Sequence, residues 1–72
     1  MATTQKTFKP DKAYPTRNLT VTTNGGSVTL ETIVEGAWQL TDTVTADGAS
    51  QVFQGLQTVR VTPIGGAFYE YQ

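Results

Sequence analysis

The chain of 72 residues reads as an all-β protein, a small antiparallel β-sandwich or partly open barrel of about six strands with an extended N-terminal arm. Three observations predict that class. The seven glycines all follow residue 24 and fall at turn-like sites: Asn24-Gly25-Gly26, Glu35-Gly36, Asp47-Gly48, Gln54-Gly55 and Gly65-Gly66. Between them run short stretches in which β-branched or aromatic residues alternate with polar ones, the pattern of a half-buried strand. No window shows helical apolar spacing, and fourteen threonines lower helix propensity further.

Two unlike pieces meet near Asn18, which predicts an arm over residues 1–17 and a β-module over residues 18–72. The arm carries Lys6, Lys9, Lys12 and Arg17 against Asp11, a net charge of +3, whereas the module carries Arg60 against five carboxylates, a net charge of −4. Pro10 and Pro15 disfavour a helix across the arm and push the residues before them towards extended backbone. Its apolar residues, Phe8 and Tyr14, lie two and one residues before a proline and suit an arm that anchors in pockets of a neighbouring subunit. A disordered terminus that orders on assembly is the competing expectation.

Within the module, Leu19 to Thr22 and Ser27 to Val34 alternate on either side of Asn24-Gly25-Gly26, which predicts a first hairpin with Val28, Leu30 and Val34 on one face. Ala37 to Thr45 follows, with Trp38, Leu40 and Val44 on one side. Asp42 falls on that apolar side, pointing to an edge position, a bulge or the end of the ladder. After the Asp47-Gly48 turn, Gln51 to Phe53 is a short strand. Thr58 to Thr62 sets Val59 and Val61 inward and Arg60 outward. Ala67 to Tyr71 sets Phe68 and Glu70 against Tyr69 and Tyr71. Six strands result, or seven if part of the arm pairs.

A chain this small buries only about 60% of its unfolded surface and gains from a staple. With no cysteine and no histidine, disulfides, zinc sites and the commonest general base are all ruled out, which leaves oligomerisation. No leader-like or 18-residue apolar run is present, so the expectation is a complete, soluble protein made in the cytoplasm, with no membrane partner.

The residues offer little chemistry. Glu31 and Glu35 on one strand face would stand about 13 Å apart, too far for a glycosidase pair. Asp42 and Asp47 lack the dense oxygen series of a calcium loop. The glycine pairs fit turns rather than a phosphate loop, and Ser27 and Ser50 sit in no nucleophile pattern. The expectation is no enzyme, no metal and no cofactor. Asn18-Leu19-Thr20 matches the glycosylation pattern by chance. Trp38 with Tyr69 and Tyr71 could stack on a sugar, although Trp38 reads better as core beside Leu40. Tyr69 and Tyr71, on a terminal strand, suit a subunit interface, where tyrosine is enriched. The acidic module argues against a nucleic-acid partner. Partner-binding residues are therefore expected at Lys6, Phe8, Lys9, Lys12, Tyr14, Arg17, Tyr69 and Tyr71, with the basic arm of one copy laid on the acidic module of another.

The order Gly26-Ser27-Val28-Thr29-Leu30-Glu31, then Gly36-Ala37-Trp38-Gln39-Leu40-Thr41, Thr45-Ala46-Asp47-Gly48, Gln51-Val52-Phe53 and Val59-Arg60-Val61-Thr62 resembles the small β-domains of tailed-bacteriophage virion proteins. The likeness covers about residues 19–71 and leaves the arm outside. It implies a virion structural role: a capsid decoration (cement) protein that stabilises the shell by bridging major capsid subunits, often as a trimer, or a head-tail or tail component. A receptor- or carbohydrate-binding module and a phage-encoded regulator that binds a host protein are the alternatives.

Overall fold

A computed structural model describes residues 1–72. Seven strands form: β1 Lys6–Phe8, β2 Thr16–Thr22, β3 Ser27–Val34, β4 Ala37–Val44, β5 Gly48–Phe53, β6 Val59–Ile64 and β7 Phe68–Tyr71. They make two open antiparallel sheets, of order β1-β6-β3-β4 and β5-β2-β7, so the architecture is a sandwich and the barrel alternative falls.

The core lies between the sheets, where Leu19 and Val21 of β2 and Tyr69 and Tyr71 of β7 meet Val28 and Leu30 of β3 and Val59 and Val61 of β6. Val59 and Val61 point inward and Arg60 outward, as their alternation predicts. Helix is absent throughout.

The expected first hairpin does not form. β2 and β3 belong to different sheets, and the Asn24-Gly25-Gly26 turn carries the chain across the sandwich. Only β3–β4 joins neighbouring strands of one sheet; every other connection crosses. The physical reason lies in how the turns nest. β2 pairs with β7 and β3 with β6, so the β2–β3 and β6–β7 crossovers run side by side at one end. Gly26 and Gly65 touch there, close enough that a Cβ on Gly65 would lie 3.2 Å from the Gly26 Cα.

The arm is also corrected. It folds onto its own module, so no domain boundary falls between residues 17 and 18, and β2 itself begins at Thr16. β1 pairs with β6, Lys6 opposite Val61 and Phe8 opposite Val59. Further back, Ala2 exchanges two backbone hydrogen bonds with Tyr69, at 2.7 and 3.1 Å. The Phe8 ring packs 4.6 Å from that of Tyr71. A seventh strand and a patch of core thus come from the segment expected to reach a neighbour.

Candidate functional site

Of the expected partner-binding residues, two are buried and two half-buried. Tyr69 and Tyr71 are 1% and 8% exposed, which removes them from any subunit interface. Phe8 is half-buried against Tyr71, and the Arg17 guanidinium lies over the Tyr71 ring at 4.9 Å, a cation–π contact that turns a presumed docking charge inward. Lys6, Lys9, Lys12 and Tyr14 stay on the surface. Between Pro10 and Pro15 the arm turns on Asp11, whose Oδ1 accepts the Ala13 N–H at 2.9 Å. Tyr14 and Arg17 border a shallow cleft of about 320 Å³ with Asp11 and Gln72.

One buried amide explains why the arm folds back. Gln54 is 1% exposed, and its Nε2 donates to the Phe8 and Gln57 carbonyls, each at 2.9 Å, while its Oε1 accepts the Tyr71 hydroxyl at 2.7 Å. A second tie runs from the Tyr69 hydroxyl to the Thr4 carbonyl at 3.0 Å. Nothing in the Gln54-Gly55 dipeptide distinguishes this glutamine from a turn residue, so sequence reading missed it.

Burial pushes both tyrosine phenols above their usual range, at Tyr71 against the lowering charge of Arg17. A group with a raised folded pKa binds its proton more tightly when folded. Its stabilisation is complete below the ordinary phenol value of about 10 and is lost as pH rises through the folded values. The urea midpoint is therefore expected to fall above about pH 10, with a shallower fall in Tyr69→Phe. An alkaline profile identical in that variant would contradict the assignment. Asp47 behaves oppositely: its Oδ1 accepts the Thr23 N–H and hydroxyl, each at 2.7 Å, and the backbone bond above all holds its pKa low. The turn acid thus ties the end of β2 to the β4–β5 turn.

The outer face of the four-stranded sheet is where the side chains gather. A register shift between Leu30 and Glu31 marks a bulge in the β3–β4 pairing at Thr41 and Asp42. The extra residue reverses the parity of the strand, so Val44 packs on the core while Trp38 and Leu40 turn outward. This corrects the expectation that Trp38 belongs to the core: it is half-buried on the outer face. Its ring lies under the Arg60 guanidinium at 4.2 Å, and Glu31 grips Arg60 through two bonds of 3.0 Å. Glu31 is thus engaged in an ion pair. The three-aromatic sugar platform does not form, because Tyr69 and Tyr71 lie inside and Trp38 lies outside.

Beyond that cluster, the β3–β4 ribbon outruns its sheet. β6 pairs with β3 only as far as Thr32, opposite Val59. Ile33 and Val34 then have β4 alone as a neighbour, opposite Trp38 and Ala37. The ribbon closes on Glu35 and Gly36 at φ 52° and 80°, the two left-handed residues of a tight hairpin turn. Ile33 and Val34 are exposed there on opposite faces, and Leu40, 58% exposed, lies at the root of the overhang opposite Glu31 on the face of Ile33 and Trp38.

A scan of protein-family models, of curated proteins and of solved structures finds no match to this chain.

Proposed function

We propose that this chain is a non-catalytic assembly module, a virion structural protein of the capsid decoration class, which docks on a neighbouring shell protein through the β3–β4 overhang. The observation that carries the docking surface is the overhang itself. A two-stranded ribbon is marginal in water, yet this one holds Ile33 exposed on one face beside a half-buried tryptophan, with the exposed Leu40 next to it at the root of the ribbon. Trp38 is held in place by the Arg60–Glu31 pair, and an ordered aromatic anchor of this kind is favoured at the centre of protein interfaces. The virion assignment draws on the resemblance of the strand order. With the basic leader folded onto its own body, bridging passes from the arm to this surface, and binding to a lattice would stabilise the small domain by mass action.

The test is particle occupancy. Wild-type chain is expected in purified particles at a copy number matching shell subunits, and the double variant Ile33→Lys/Leu40→Lys is expected to be lost from them. Both positions are exposed, so the isolated variant should keep its fold within about 0.5–1 kcal/mol. Absence of the wild-type chain from particles would overturn the virion reading. Full occupancy by the double variant would overturn the surface.

A further inference from the structure

We propose that the free edge of β5 is a self-association site, at which a second copy of this chain adds its own β5 antiparallel about a two-fold axis through Gln51. An open sheet edge presents unpaired N–H and C=O groups, and proteins blunt such edges with charge, proline, bulges or cover. Three of the four edges here are blunted. β1 has three residues, one of them Lys6, and runs into Lys9-Pro10. β4 is bulged and carries Asp42. β7 is met by the Ala2 bridge. β5 has none of these devices: Gly48-Ala49-Ser50-Gln51-Val52-Phe53 holds no charge and no proline, pairs with β2 in unbroken register, and is exposed at every residue except the half-buried Val52.

The side chains choose both the occupant and the register. Leu19 and Val21 of β2 face the core, so their neighbours Thr16, Asn18 and Thr20 place the opposite residues Phe53, Gln51 and Ala49 on the outer face. Residues directly opposite in an antiparallel pair share a face, which limits a two-fold axis to a residue position. With the axis at Gln51, the two glutamine amides meet and each Phe53, 76% exposed alone, covers the small Ala49 of the second copy. With the axis at Ser50, each Phe53 would instead oppose the Asp47 carboxylate. Large lies over small at both ends, and no like charges meet anywhere along the paired strands, although the module as a whole is acidic. A five-residue ladder buries less than the roughly 1,200 Å² of a standard stable interface. The contact is therefore weak in solution and is reinforced wherever copies are concentrated. It depends on the edge alone and holds whether or not the chain enters a virion.

Sedimentation velocity over a concentration series tests it. Wild-type protein is expected to shift from monomer towards dimer as concentration rises. Gln51→Lys and Gln51→Glu, each exposed and each placing like charges on the axis, are expected to weaken self-association at least about tenfold while keeping the β-type circular dichroism. Mixing the two variants is expected to restore dimer, now as a heterodimer. A wild-type chain that stays monomeric throughout the series would overturn the proposal, as would single variants that associate like the wild type.

Discussion

Gly26→Ala is expected to leave the chain largely unfolded at room temperature, without a cooperative thermal transition by circular dichroism. A Cβ at this position would lie 1.8 Å from the Ile64 carbonyl oxygen and 2.8 Å from that of Gly65. Both are backbone atoms of the neighbouring crossover, so relief requires separating the two turns, and with them the β2–β7 and β3–β6 ladders that the turns close. Overpacking of this kind costs about 3 kcal/mol or more. A single core of this size supplies only about 3–5 kcal/mol in total. Gly25→Ala is the control, because its φ of +85° brings strain while no atom lies within 4 Å of the added Cβ. That change should cost about 1–2 kcal/mol and lower the midpoint of a chain that still folds. A Gly26→Ala protein with the wild-type midpoint would show that the crossovers are not nested as described.

Gln54→Leu is the second large effect. Leucine fills much of the same volume but removes the amide partner of the part-buried Phe8 and Gln57 carbonyls and of the buried Tyr71 hydroxyl. Stranding buried polar groups costs about 1–3 kcal/mol each at most, and partial relaxation brings the expected total to about 2–4 kcal/mol. The urea midpoint checks the size of the effect. Its location is checked by hydrogen exchange, where the amides of β1 should lose protection ahead of β2 and β3, since the Phe8 carbonyl is one of the stranded groups. Uniform loss of protection would mean that Gln54 supports the core generally and does not pin the arm.

The strands were largely legible in the chain because period-2 alternation and glycine placement are local signals. Thr58 to Thr62 shows this well, with Val59 and Val61 inward and Arg60 outward as they occur, whereas in Ala67 to Tyr71 alternation separates the two faces but not which is inward: Tyr69 and Tyr71, expected at an interface, fill the core. What failed was non-local. Asn24-Gly25-Gly26 has the residues of a hairpin turn, and only the partner turn at Gly65 makes it a crossover. On β4 the charge of Asp42 did flag an irregularity, yet alternation counted straight through Thr41 and so placed Trp38 and Leu40 inside. The bulge reverses them, and with them the candidate surface. The arm misled for a related reason: its basic charge and lone aromatics suit a neighbour's surface, whereas Phe8 and Arg17 in fact meet Tyr71 of the same chain.

Hydrogen exchange on the chain bound to purified particles, compared with the free chain, tests the docking surface most directly. The overhang amides of residues 33–38 exchange fast in a two-stranded ribbon and should slow on binding, while the deep core of β2 and β6 should change little. Protection that appears elsewhere, with residues 33–38 exchanging as in the free chain, would contradict the overhang as the surface through which this module assembles.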